Sequence, residues 1–180
     1  MKATRIARSI ALASALAGAA TGALAANDGS LGTSSTGDLA VTLSIADRVQ
    51  ITGLEDITLG TYGGSGGLTG DATFCVYRNG TGVYDLVATS ANEQAGAFKA
   101  SDGTDEIVYA VKVDEDTDPS DGFDVSSGTA KTGLTGDDAA TDCGGNDNAS
   151  LRVSFAEADL QAAPTSNGYA DTITLLVTPN

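Results

Sequence analysis

Two segments, one near each end of the chain, alternate in polarity. In residues 38–45 every second position is apolar, and these positions hold Leu39, Val41, Leu43 and Ile45. In residues 169–177 the side chains that share one side of an extended chain are Tyr169, Asp171, Ile173, Leu175 and Val177. Successive side chains of a strand point to opposite faces, so both segments are predicted to be strands with one mainly apolar face.

The rest of the chain consists of short apolar runs separated by glycine-rich turns. The runs predict strands at 49–51, 57–62, 72–77, 83–89, 98–100, 106–113 and 151–155. Residues 156–163 could form a short helix, and residues 63–67, 114–124 and 132–148 are predicted to be loops. Some eight short strands with turns between them are typical of an all-β, two-sheet sandwich.

One connection carries a specific turn signal. Residues 78–82 read Arg-Asn-Gly-Thr-Gly, and Asn-Gly is the favoured dipeptide of a tight β-hairpin turn. The sequence therefore predicts that strands 72–77 and 83–89 pair with each other.

The first 25 residues have the features of a secretory signal peptide. Basic residues precede an apolar, alanine-rich stretch at 10–20, and Ala23-Leu24-Ala25 matches the pattern that signal peptidase cleaves. The mature protein is therefore expected to begin near Ala26 or Asn27 and to be exported, with no membrane span. Residues 26–37 are mostly small and polar and are expected to form a flexible leader.

The mature chain is strongly acidic. The whole sequence has a net charge of −15, and residues 1–25 hold three of its nine basic residues and none of its 24 acidic ones, which leaves −18. Nucleic acid and anionic membranes would be repelled, so neither is expected as a partner. A solvated acidic surface is the favoured interpretation, and specific cation binding is the alternative.

The residue types that most catalytic sites need are scarce. The chain has no histidine, so a serine or cysteine nucleophile would lack its usual base. Its two cysteines, Cys75 and Cys143, most simply form one structural disulfide in an exported protein. We therefore expect a protein that is not an enzyme and that uses no cofactor.

One acidic loop has a partial calcium-binding pattern. Residues 114–118 place carboxylates at alternate positions, as a helix-loop-helix calcium site does at its start. Pro119 then stands where that site needs glycine, and Val125 stands where it needs glutamate. A solvated loop is favoured over weak calcium binding, and no metal site is predicted.

Three parts of the sequence resemble a known family. They are the alternating segment 38–45, the phrase Ile57-Thr58-Leu59-Gly60-Thr61-Tyr62, and the ending Gly168-Tyr169-Ala170-Asp171-Thr172 with the alternating residues that follow it. Together with the signal peptide, they resemble the subunits of archaic chaperone-usher pili, which belong with the spore coat protein U family.

The resemblance implies a fold, a function and partners. Such a subunit is an incomplete immunoglobulin-like sandwich, here expected at 46–180, whose apolar groove lacks a final strand. A periplasmic chaperone fills the groove first, and the N-terminal segment of the next subunit replaces it at the outer-membrane usher. The inserted side chains would be Leu39, Val41, Leu43 and Ile45, and the last strand lining the groove would contain Tyr169, Ile173, Leu175 and Val177. The implied product is a cell-surface pilus for attachment or biofilm formation.

One position departs from the family, and alternatives stay open. Family members commonly have a cysteine just after the donor segment, where this chain reads Asp47-Arg48-Val49-Gln50. By the resemblance, Cys75 then pairs with Cys143 or stays free.

Residues 39–45 could instead be an ordinary first strand of their own sandwich. The protein could also be a non-polymerising binding module for sugar or calcium, or a coat component.

Overall fold

A computed structural model describes residues 26–166 and 168–180 of the chain. The predicted signal peptide lies outside the described residues. The chain divides into two units between Ile45 and Ala46. The described part of the first unit, residues 26–45, contains a β-bridge between Asn27 and Asp38.

The second unit, Ala46–Asn180, contains nine strands in its described part. They are β1 (Val49–Thr52), β2 (Leu68–Arg78), β3 (Val83–Ser90), β4 (Phe98–Ser101), β5 (Glu106–Asp114), β6 (Phe123–Val125), β7 (Ala130–Thr135), β8 (Ala149–Phe155) and β9 (Ile173–Pro179). A short α-helix, α1 (Glu157–Ala162), lies within the predicted helical segment. The larger antiparallel sheet has the order β1-β2-β8-β5-β4, with β6 also paired to β5, and the smaller one has the order β7-β3-β9. The all-β prediction is confirmed.

The core lies between the inward faces of the two sheets. In β5 the alternation is clear, because Ile107, Tyr109, Val111 and Val113 are all buried. Tyr109, Val111 and Val113 pack in one cluster with Phe74 and Val76 of β2 and with Tyr84 and Leu86 of β3. Burying one face of each strand in this way removes apolar surface from water and stabilises the sandwich.

The predicted hairpin between β2 and β3 is wrong. The turn at 78–82 exists, with positive φ at Gly80 and Gly82, but β2 belongs to the larger sheet and β3 to the smaller one. No edge of β2 is left for β3. The first residues of β2 pair with β8, and its last residues pair with β1 on one side. On the other side of these last residues, the backbone of Asp137 bonds to Val76 and Arg78. The Asn-Gly turn therefore carries the chain from one sheet to the other.

Other local predictions differ from the structure at the margins of the sheets. Residues 57–62 form no strand, because their backbone has no neighbouring strand to pair with in the described chain. The predicted loops 114–124 and 132–148 contain the start of β6 and much of β7. Strand β7 is irregular, with a register shift opposite Tyr84 and Leu86, so it lacks the clean alternation that marks a strand.

Cys75 and Cys143 form a disulfide, as predicted. The bond joins the buried end of β2 to a short 3-10 turn, Cys143–Gly145, which lies before β8. It closes a loop of 68 residues that contains β3 to β7. Among the described residues, no helix is both long and apolar enough to cross a bilayer.

Candidate functional site

An open apolar groove runs between the two sheets of the second unit. It encloses about 760 Å³, and its floor is formed by core side chains of the larger sheet, among them Phe74, Tyr109, Leu151 and Val153. On one side lies the segment 54–60, and on the other lie residues 169–171 and the start of β9. The two sides are called here the 54–60 bank and the β9 bank.

The 54–60 bank is held by side chains rather than by strand pairing. Ile57 and Leu59 are half-buried against the core, and Thr58 between them is exposed. Within the described chain, the backbone of residues 54–62 makes no hydrogen bond to another backbone group. Its N–H and C=O groups are therefore free to pair with a further strand.

The strand part of the β9 bank has an open edge, whereas Ala170, before the strand, pairs with Ser101 of β4. Strand β9 pairs with β3 on one side, from Ser90↔Ile173 to Tyr84↔Pro179, and none of the other described strands pairs with its second edge. Ile173, Leu175 and Val177 point towards the core, whereas Leu176 is 56% exposed on the opposite face. An unpaired edge of this kind is a template for the addition of another strand.

A second, smaller cavity continues the groove at one end. It encloses about 410 Å³ and shares Leu59, Gly60, Phe155 and Tyr169 with the main cavity. Leu160 of α1 and Leu68 of β2 also line it. The apolar surface available to an extended ligand is thus longer than the main cavity alone.

A hydrogen-bonded cluster lies on the β9 bank, just before the strand begins. The carboxylate of Asp171 accepts hydrogen bonds from the Tyr109 hydroxyl, from the Ser90 hydroxyl at 2.5 Å and from the Asn92 side-chain amide at 3.1 Å. Burial and the hydrogen bond to Asp171 both raise the pKa of Tyr109. Tyr109 therefore remains a neutral hydrogen-bond donor at ordinary pH. The cluster ties the β9 bank to the groove floor.

The alternating segment 39–45 is exposed. Leu39 and Ile45 are each 75% exposed, and Val41 and Leu43 are each 85% exposed. The segment forms no strand, contrary to the sequence-based prediction for 38–45. A strand needs backbone partners, and none of the described residues supplies them to residues 39–45. Exposed contiguous apolar surface is common at the interaction sites of proteins.

The predicted site residues fall into two groups. Tyr169, Ile173 and Leu175 line the groove, and Val177 packs against the core further along β9. Leu39, Val41, Leu43 and Ile45 lie in the other unit. The sequence analysis missed the groove-lining role of the 54–60 bank, although the alternation of Ile57 and Leu59 signals a segment with one inward face.

The acidic loop after β5 uses its carboxylates locally. Asp116 and Asp118 accept hydrogen bonds from backbone N–H groups two residues further along the chain. Within residues 26–166 and 168–180, no cluster of three or more acidic or cysteine side chains is arranged to hold a metal ion.

No family model matches the sequence, and no curated protein matches it significantly. Among solved structures, the chain is similar to one from a study of a chaperone–tip adhesin complex vital for the synergistic activation of CFA/I fimbriae biogenesis. The two share 16% sequence identity, with a TM-score of 0.49 over 74% of this chain. This chain spans 42% of the length of that one.

Proposed function

We propose that this protein is a structural pilus subunit that polymerises by donor-strand exchange, with residues 39–45 of one copy filling the groove of the next. One observation carries the proposal. The same chain contains an open, strand-sized apolar groove and a separate, exposed segment whose apolar side chains alternate. The groove lacks a strand, and among the described residues the segment lacks backbone partners and a surface that buries its apolar side chains.

The backbone requirements of the two parts are complementary. Strand addition gives affinity through main-chain hydrogen bonds and specificity through pockets for alternate side chains. Both banks have unpaired backbone groups, and β9 has seven residues, as do the bank 54–60 and the segment 39–45. A segment of that length spans roughly 23 Å when extended.

The energy of insertion is substantial. Burying four apolar side chains at roughly 1.5 to 3 kcal/mol each gives a gross stabilisation of about 6 to 12 kcal/mol. Ordering the segment opposes this gain, since each fixed residue costs roughly 1 to 2 kcal/mol of backbone entropy. Main-chain pairing along both banks adds to the gain, so a stable joint between subunits is expected.

Chain connectivity favours insertion into another copy. Only residues 46–48 separate the segment from β1, so a return into the same domain would need a three-residue hairpin turn there. In that hairpin Ile45 would lie opposite Val49, and Leu39 would lie opposite Glu55. The segment would then reach only the beginning of the 54–60 bank and leave the rest of the groove empty.

An unfilled groove would need protection before assembly. An open apolar edge promotes aggregation, so the subunit requires a temporary partner that covers the β9 edge. The proposed partners are a periplasmic chaperone, an outer-membrane usher and other copies of this or a related subunit. The finished fibre would lie on the cell surface and serve attachment or biofilm formation without catalysis.

The proposal is tested by comparing two substitutions in the segment. Leu43→Ala removes an inserted side chain, whereas Thr42→Ala alters the opposite face and is the matched control. The purified mature proteins are examined by size-exclusion chromatography and electron microscopy. Fibres from the parent and Thr42→Ala, with marked loss in Leu43→Ala, support the proposal. Equal polymerisation of both variants contradicts it.

A further inference from the structure

The three residues that join the segment 39–45 to β1 are all held by Arg78, the last residue of β2, and by Asn79, which follows it. The Arg48 N–H donates to Asn79 Oδ1 at 2.7 Å, and the Asn79 N–H donates to the Arg48 carbonyl at 3.2 Å. Asn79 Nδ2 also donates to the Ala46 carbonyl at 2.9 Å. Arg78 binds the Asp47 carboxylate at 3.0 Å. These contacts are called here the root clamp.

The root clamp continues the pairing of β1 with β2. Val49 pairs with Arg78 in the sheet, and Arg48 lies opposite Asn79 in the same register. Residues 46–48 therefore continue in the direction of β1, bound to residues 78 and 79, and do not form a flexible linker. Asn79 supplies three of the four contacts, two through its side-chain amide and one through its backbone N–H.

Arg78 is itself fixed in place. Its side chain is 9% exposed, and it also donates to the Thr81 hydroxyl at 2.9 Å and to the Asn180 carbonyl at 3.4 Å. A buried arginine with several hydrogen-bond partners is a rigid anchor, because its guanidinium has little freedom to change rotamer. The clamp thus connects residues 46–48 to the turn after β2 and to the end of the chain.

We propose that Arg78 and Asn79 make a stiff, nearly linkerless joint between successive subunits. This inference rests on the proposed function. If Ile45 is inserted in the neighbouring subunit, the next residue, Ala46, is already bound to its own domain, so no free residue lies between the two domains. A joint without free residues resists bending, whereas even a few unrestrained residues act as a flexible tether.

Three variants loosen the root clamp to different degrees without altering the groove or the segment. Asn79→Ala removes both side-chain bonds, and Asp47→Asn removes the ion pair with Arg78. Asn79→Asp retains the acceptor for the Arg48 N–H and loses the donor to Ala46, so it is expected to be intermediate. Asn146→Ala and Asp124→Asn, at positions with no contact to the root clamp, are the matched controls.

The test measures the persistence length of fibres on electron micrographs, with hydrogen exchange at the Arg48 amide as a second readout. Asn79→Ala should still form fibres. Their persistence length should be at most about half that of the parent, and the Arg48 amide should exchange faster. The controls should match the parent. Fibres of unchanged stiffness, or unchanged exchange, would overturn the inference and leave the proposed function standing. Absence of fibres in the parent would instead overturn both.

Discussion

The side chain of Ile57 occupies the space that a β-carbon on Gly70 would need. A β-carbon built at Gly70 would lie 2.6 Å from Leu59 Cδ2 and closer still to Ile57 Cγ2. The missing side chain on β2 therefore lets both residues of the 54–60 bank lie directly against the larger sheet. This contact sets the position of one whole side of the groove.

Substitution of Gly70 should disturb the groove more than the rest of the sandwich. Gly70→Val forces Ile57 and Leu59 away from β2, with an expected cost of about 1 to 3 kcal/mol from overpacking. The fibre yield should decrease more than this loss of stability explains, because the displaced 54–60 bank no longer fits an inserted strand. Urea unfolding and fibre yield are the two measurements. Gly63→Val, where a β-carbon meets no neighbour, is the control, and equal fibre yields would contradict this role for Gly70.

The disulfide should be a major source of stability. Replacing Cys75 and Cys143 together with alanine removes a crosslink that closes 68 residues, and a loss of about 2 to 5 kcal/mol is expected. Urea unfolding of the parent, with and without reductant, should reproduce most of that difference. The double variant should not respond to reductant. A variant as stable as the oxidised parent would show that the crosslink contributes little.

Two buried tyrosines predict a loss of stability in alkali. Burial raises the pKa of Tyr84 and of Tyr109, and for Tyr109 the bond to Asp171 raises it further. The folded state keeps these phenols protonated, so their contribution is complete below the ordinary pKa of about 10 and is lost as pH rises above it. Tyrosinate absorbance should show delayed ionisation that coincides with unfolding. Tyr109→Phe should unfold with a weaker dependence on pH above 10, and an unchanged dependence would contradict the assignment.

The ion pair between Asp71 and Arg152 predicts a small loss of stability in acid. The two residues are paired across β2 and β8, and Arg152 donates two bonds of 2.7 and 2.8 Å to the carboxylate. These bonds lower the pKa of Asp71, so the pair stabilises the fold above the ordinary pKa and loses its effect as pH falls through the lowered value. Because Asp71 is well exposed, Asp71→Asn should cost only about 0.5 to 1 kcal/mol at pH 7. The difference in the free energy of unfolding between Asp71→Asn and the parent, measured with urea, should disappear in acid. The control Asp138→Asn should show no such difference.

Strands with one buried face could be predicted from the sequence, because the sandwich buries every second residue. The four inward residues of β5 and the alternation of Ile173, Leu175 and Val177 follow this rule. Strand β7 could not be predicted in the same way. Its buried Leu134 follows Gly133, which has positive φ, and the register shifts nearby, so local packing replaces alternation.

Pairing between strands could not be predicted from local signals alone. The Asn-Gly turn at 79–80 indicates a hairpin, but Asp137 and Asn148, from a distant loop, occupy the edge of β2 that β3 would need. The resemblance implies a groove lined by the last strand, but the sequence did not indicate the opposite side of this groove. Its 54–60 bank depends on the contact of Ile57 with Gly70, and these residues are 13 positions apart on different elements.

The most direct test of strand exchange is hydrogen exchange measured by mass spectrometry on the fibres and on the unassembled subunit. Insertion of the segment predicts that amides in 39–45, 54–60 and β9 gain protection together on assembly, because the inserted strand pairs with both banks. Leu43→Ala should reduce all three gains in parallel. Fibres in which 39–45 still exchanges at the rate of a free chain would contradict the account.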